Sequence, residues 1–251
     1  MKSTLVYAHR GLSSEFLENT RSAFDRAVEA GVDGIETDVQ ISRDGVSVLW
    51  HDEHLAKLGH PEIRIGEVDY VRLSQIDLAG SGRIRAGDSG LLRLGDFVSD
   101  YAPQCKLILE VKNLEWDQAS GRHQVNIERC LEIAKGAQAV EPFKSIVISS
   151  FDLESLLHAH SIDPDQSLVY NLDRGFSLDE LKRALDEHSF FQGFCVPIDD
   201  LDSQASQLIS YYQKSLIVFT CNSAAQIKKA FDLGVDVLIS DFPHKAIELR
   251  D

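Results

Sequence analysis

Eight short apolar, β-rich runs, each followed by a helical pattern, constrain this chain more than anything else in it. The runs cover 4–9, 34–38, 106–111, 145–150, 167–171, 192–197, 215–220 and 237–240, and the helical patterns 19–30, 91–102, 118–139, 153–160, 177–188, 203–213, 223–233 and 243–250. Parallel neighbours need a crossover of a dozen or more residues, so repeated strand–helix pairs predict a parallel sheet. Eight pairs in 251 residues favour closure into a TIM (β/α)8 barrel over an open doubly wound sheet. No GxGxxG or Walker-type loop follows any strand, which argues against a nucleotide-binding fold.

The first helical pattern shows the logic. Ala23, Phe24, Ala27 and Val28 share one face, Asn19 or Thr20 supplies the cap, and Gly31 suits a left-handed stop.

Two places break the rhythm. After Asp38 the chain reads VQISRDGVSVLWHD, so a further apolar run at 46–51 is reached through only a few turn residues around Asp44 and Gly45. That is too short for a parallel crossover, and an antiparallel hairpin follows. The hairpin returns His51 to a position opposite about Asp38. The second break is an excursion from about 53 to 90, rich in glycine at its end, that is expected to lie over the barrel mouth as a lid. The whole chain, 1–251, reads as one domain with this insertion inside it.

A net charge of −15 repels polyanions and no basic cluster relieves it, so nucleic acid and anionic membrane are poor partners and a small molecule is the expected one. No segment approaches the roughly 18 apolar residues of a membrane span. The amino-terminal apolar run passes straight into His9 and is too short for a signal peptide, which points to the cytoplasm. Cys105, Cys130, Cys195 and Cys221 are too far apart for a zinc or redox motif and read as buried reduced thiols.

In barrels of this kind the chemistry sits at the carboxyl ends of the strands. The first strand ends in His9–Arg10, the second in Glu36–Thr37–Asp38, the hairpin in His51–Asp52 and the third barrel strand in Glu110–Val111–Lys112. Glu36 and Asp38 are two apart and point to one side, as do Glu110 and Lys112. Three carboxylates make a hard, oxygen-rich site suited to Mg²⁺ or Ca²⁺. His9 and His51 supply a general acid and base near neutral pH, and Arg10 and Lys112 supply positive charge for phosphoryl oxygens. Any one of these groups alone has an ordinary structural explanation; their joint placement at strand ends does not.

The segments HRG at 9–11, ENT at 18–20 with AF at 23–24, ETD at 36–38, DG at 44–45, HD at 51–52, EVK at 110–112, SSF at 149–151, TCN at 220–222 and SDFP at 240–243 resemble the glycerophosphodiester phosphodiesterase family. They run from one end of the chain to the other. The resemblance implies that His9 is the proton acceptor and His51 the proton donor, that Glu36, Asp38 and Glu110 hold one divalent cation, and that Arg10 and Lys112 contact phosphate. It further implies hydrolysis of glycerophosphodiesters to sn-glycerol 3-phosphate and an alcohol, with water or the substrate's own glycerol hydroxyl as the attacking group. The stretch HLAKLGHPEIRI after HD lacks the family's usual Arg-Thr-Thr run, so the pocket for the alcohol differs. A lysophospholipid or other diester as substrate, and an inactive phosphate-binding barrel, are the competing readings.

Other conspicuous residues have plainer explanations. His54 and His60 sit in the excursion and read as solvated loop histidines, with contact to substrate as the alternative. His123, His158, His160, His188 and His244 lie in helices or loops with no evident partners. Phe151 reads by default as a core aromatic, with an apolar wall of the site as the alternative, and Asn222 and Asp241 as either caps or helpers of the site.

Overall fold

Strands that stay apolar on both faces until their last residues must bury both, and a closed parallel sheet wrapped in helices does so. The computed structural model, which describes residues 3–78, 83–84, 88–113, 122–138 and 145–250, has this architecture. Its strands are β1 (Leu5–His9), β2 (Gly34–Ile41), β3 (Ser47–Leu49), β4 (His54–Leu55), β5 (His60–Arg64), β6 (Lys106–Val111), β7 (Ile146–Ser150), β8 (Leu168–Asn171), β9 (Gly193–Pro197), β10 (Ser215–Phe219) and β11 (Val237–Ser240). Eight of them pair in parallel in the order β1-β11-β10-β9-β8-β7-β6-β2, and β2 pairs again with β1, closing the barrel. All eight expected strands are present within one or two residues at each end, except that β2 runs on to Ile41.

The expected helices are present too, at Arg21–Glu29, Leu94–Tyr101, His123–Gln138, Leu153–Ile162, Leu178–Glu187, Ser203–Tyr211, Ala224–Asp232 and Pro243–Arg250. Of the predicted third helix, residues 118–121 and 139 lie outside the described residues. Of the two cap choices for the first helix, the structure uses Thr20, whose hydroxyl accepts from Ala23 N. Asn19 is left at φ 58°, turned toward the barrel. Ser177 and Ser223 open later helices with reciprocal capping boxes to Glu180 and Gln226.

The period of two along each strand divides the core. Side chains such as Val6, Ala8, Ile35, Leu107, Leu109 and Phe194 pack outward under the helices. Tyr7, Ile108, Val169, Cys195, Ile217 and Ile239 pack together inside the barrel. Two residues beyond Tyr7 stands His9, beyond Ile108 stands Glu110, and beyond Val169 stands Asn171. The apolar plug therefore gives way, one layer up, to a polar floor. The four cysteines are buried free thiols.

The hairpin forms as expected, but with a register one residue from the one predicted. Val39 faces Leu49 and Ile41 faces Ser47, and Trp50 N donates to Asp38 O, so Trp50 rather than His51 stands opposite Asp38. The turn is closed by Ser42 N to Val46 O with Gly45 at φ 83°, and its centre at Asp44 determines the offset. The excursion after it is more than a loop. It carries the small β4–β5 hairpin, two 3₁₀ turns and a one-turn helix at Tyr70–Leu73. These enclose a second apolar cluster that includes Val48, Trp50, Leu55, Ile63, Ile65 and Leu73. Strands of two and five residues, one containing Pro61, leave too little periodicity to read from sequence. Residues 79–82 and 85–87 of its glycine-rich end lie outside the described residues.

The turn after β1 depends on Gly11. Its φ is 82°, and a Cβ there would lie 2.6 Å from the Ala23 carbonyl carbon. Gly45 has similar φ but open space around it. Urea unfolding should therefore show Gly11→Ala destabilised by more than about 2 kcal/mol, and Gly45→Ala by only about 1 kcal/mol.

Candidate active site

Barrel closure brings the strand-end residues together. His9 stands beside Glu36 in the β1–β2 register, and Asp38 stands beside Glu110 in the β2–β6 register. Carboxylate oxygens of Glu36, Asp38 and Glu110 lie within 4.8 Å of one another. His9 Nε2 is 3.9 Å from Glu36 Oε2. His9, Glu36, Glu110, Ser149, Asn171 and Cys195 line a cavity of about 20 Å³, room for one water or ion.

Three acids this close and this buried require compensating charge. Arg10 Nε lies 2.9 Å from Asp38 Oδ2 and Lys112 Nζ 3.2 Å from Asp38 Oδ1, while Lys112 also contacts Glu110. Asn19 Nδ2 donates to Asp38 Oδ2 at 3.0 Å and is itself held by Thr37 Oγ1 at 2.8 Å. Burial pushes the Asp38 carboxyl up, but Lys112, Arg10, His51 and Asn19 outweigh it and keep it ionised well below the usual carboxylate range. Glu36 goes the other way: burial, then the neighbouring Asp38 and Glu110 charges, raise it well above that range. Both Glu36 oxygens are buried without a hydrogen-bond partner. An oxygen-rich cluster with unsatisfied lone pairs beside a one-atom cavity fits a hard divalent cation.

Both histidines are oriented by a carboxylate. His9 Nδ1 is 2.6 Å from Asp241 Oδ1, and Asp241 is held in turn by Ser13 Oγ at 3.0 Å and Asn222 Nδ2 at 2.6 Å. Burial would raise Asp241, and its bonds to His9, Asn222 and Ser13 lower it, so it is an acceptor only. The hydrogen in that contact therefore sits on His9 Nδ1, and Nε2 is the ring nitrogen turned toward the cluster. His51 Nδ1 meets Asp52 Oδ1 at 2.7 Å. The backbone carrying His51 is gripped by Gln40, whose Nε2 donates to Trp50 O at 2.7 Å and Asp52 O at 2.8 Å.

All seven residues singled out in the sequence thus lie at this end of the barrel. Gln40 and Asn19 were not among them, and Asp241 was named only as either a cap or a helper of the site. Gln40 shares the face of Glu36 and Asp38 by strand alternation, and that signal was readable. Asn19 was read as a cap, and the partnership of Asp241 with His9, 232 residues away, exists only because β11 closes on β1. Phe151 is not a core aromatic: it is half-buried, edge to face with Phe219 at 5.8 Å, with Lys112 Nζ 5.7 Å from its ring centre. It forms an apolar wall of the site. His54 and His60 are half-buried rather than fully solvated, beside Glu53 and Glu62. His158 and His160 have partners after all, in Glu128 and Phe190, both on the outer helical layer.

This geometry has a known setting. Residues 9–245 match the model of the glycerophosphoryl diester phosphodiesterase family. The chain belongs to that family. It is 26% identical over 259 residues to a glycerophosphodiester phosphodiesterase of Bacillus altitudinis, covering 99% of this chain and 98% of that protein. A phosphodiesterase of Oleispira antarctica, solved with its product sn-glycerol-3-phosphate, superposes with a TM-score of 0.83 at 26% identity, covering 98% of this chain and 97% of that one. The fold is also that of a glycerophosphodiester phosphodiesterase from Thermotoga maritima, TM-score 0.77, 24% identity and 98% of each chain. Family membership makes the protein a phosphoric diester hydrolase. No described helix is long and apolar enough to cross a membrane.

The raised Glu36 pKa carries a sign that can be measured. Its unfolded-state value is the ordinary carboxylate one, so its contribution to stability is present below that value and is lost as pH rises through the raised folded one. Thermal melts of the metal-free protein should show this loss above pH 5, flattened in Glu36→Gln. A divalent cation held by this cluster would compete with the Glu36 proton, so added Mg²⁺ or Ca²⁺ should raise the melting temperature more at higher pH.

Proposed function

We propose that this enzyme hydrolyses a glycerophosphodiester to sn-glycerol 3-phosphate and an alcohol, with His9 and His51 as the proton-accepting and proton-donating pair. Glu36, Asp38 and Glu110 would hold one Mg²⁺ or Ca²⁺, and Arg10 and Lys112 would contact the phosphate. The observation that carries the reading is the pair of imidazoles, each backed at Nδ1 by its own carboxylate, at the rim of a single acidic cluster. A proton acceptor and a separate donor are what in-line displacement of an alkoxide from phosphorus requires.

His9 Nε2 takes the proton from the attacking water as the new P–O bond forms; where the substrate's own glycerol hydroxyl attacks instead, the cyclic phosphate it forms is opened by water in a second displacement with the two histidines in reversed roles. His51, with Asp52 fixing Nδ1, gives a proton from Nε2 to the departing oxygen as the bond to the alcohol breaks. The histidines then stand in exchanged protonation states, and transfer to and from solvent restores them. Arg10 and Lys112 stabilise charge on the non-bridging oxygens, and a bound divalent cation adds the same electrostatic support. Phe151 and Phe219 wall the site beside Lys112. The complete set of charged groups favours an active enzyme over an inactive phosphate-binding barrel, and the Oleispira antarctica product complex favours glycerol 3-phosphate as the retained half of the substrate.

With glycerophosphocholine as substrate, His9→Ala and His51→Ala should each lower kcat/KM by about 10²- to 10⁴-fold with an unchanged circular dichroism spectrum. EDTA should abolish turnover, and Mg²⁺ or Ca²⁺ should restore it. Full activity in His51→Ala, or in EDTA, rejects the assignment.

A further inference from the structure

The side chain of Lys57 carries the insertion to the site. It sits on the 3₁₀ turn Ala56–Leu58 between Leu55, fully buried in the second apolar cluster, and Gly59 at φ 81°. Leu58, on the other side of Lys57, packs against the same cluster, so the backbone is anchored on both sides. Lys57 Nζ lies 2.8 Å from Glu18 Oε1 and 3.0 Å from Asp52 Oδ2. The second oxygen of each carboxylate is used by a site residue: Asp52 Oδ1 by His51 Nδ1 at 2.7 Å, and Glu18 Oε2 by Arg10 Nη1 at 2.9 Å. Arg10 continues to Asp38. An unbroken series of charge contacts thus runs from His51 through Asp52, Lys57, Glu18 and Arg10 to Asp38.

A side chain 47% exposed contributes little to folding through such pairs. Its value lies in what it holds still. Asp52 and Glu18 each face a site partner with one oxygen, and Lys57 holds the second oxygen of both, which restricts the rotation that would turn either carboxylate away. Burial lowers the Lys57 pKa, but bonds to Glu18 and Asp52 more than compensate, so the ammonium stays charged.

We infer that Lys57 is a positioning residue: it clamps Asp52 against His51 and Glu18 against Arg10, setting the proton donor and the phosphate-binding guanidinium relative to each other. The inference rests on the proposed role of His51 as donor of a proton to the leaving oxygen. It assigns the insertion a part in assembling the site, and it gives Lys57 a task that any cation able to bridge two carboxylates could perform.

Leaving-group dependence separates this role from a structural one. An alkoxide such as choline needs protonation as it departs, whereas p-nitrophenolate does not. Lys57→Met should lower kcat about tenfold with glycerophosphocholine, a fraction of the full general-acid effect. With the p-nitrophenyl diester of glycerol 3-phosphate the loss should be less than about twofold, and Lys57→Arg should recover most of the choline activity. The melting temperature should move by no more than about 2 °C. Equal losses on both substrates, no loss on either, or no rescue by Arg would overturn the inference. His51→Ala measured alongside distinguishes the two levels. If it too loses both activities equally, the donor assignment fails and the clamp with it. If it is leaving-group selective while Lys57→Met is not, only the clamp fails.

Discussion

Everything at the mouth of this barrel answers to the burial of three carboxylates in one place. Glu36 and Asp38 are almost fully buried, and Glu110 stands in register beside Asp38. Like charges this close repel, and removal from water adds several kcal/mol per ion unless partners compensate. The structure divides the load unequally. Asp38 receives Arg10, Lys112 and Asn19 and stays ionised, while Glu36 receives no hydrogen bond and is pushed toward its protonated form. The asymmetry leaves one carboxylate with open lone pairs beside a cavity the size of one ion, so the arrangement that costs folding energy is also the one that would bind a cation.

The hairpin and the insertion follow from the same constraint. A plain barrel unit after β2 would carry the chain away to a helix, leaving Asp38 with no neighbour above it. β2 instead runs past the barrel rim, β3 pairs back on it, and Gln40 holds the returning segment by its carbonyls. His51 and Asp52 are thereby built on rigid backbone, and the second apolar cluster fastens the insertion that carries Lys57. A site made of long, flexible charged side chains gains its precision from these backbone anchors, because each pair taken alone would be weak and mobile at the surface.

The strand–helix rhythm and the identity of the polar strand ends were legible because both are local. Period-two alternation places Glu36 and Asp38 on one face whatever lies around them, and a turn too short for a crossover requires a hairpin. The register of that hairpin was off by one, since the centre of a turn is decided by the Ser42 to Val46 bond and by which residue takes positive φ. The insertion was legible only as an interruption: its strands are too short to show a period, and its cluster is assembled from residues spread between Leu17 and Leu91.

By itself the sequence determined the barrel, the strand-end histidines, the acidic pair and the family resemblance, because propensity, alternation and motif act within a few residues. Only the tertiary structure decided which groups serve one another. Asp241 orients His9, Asn19 abandons the helix cap for Asp38, Phe151 leaves the core for the site wall, and Lys57 bridges Asp52 and Glu18. Each of these is a contact between segments that chain order keeps apart and barrel closure or insertion packing brings together. Polar partnership depends on distance in space, and no local pattern encodes it.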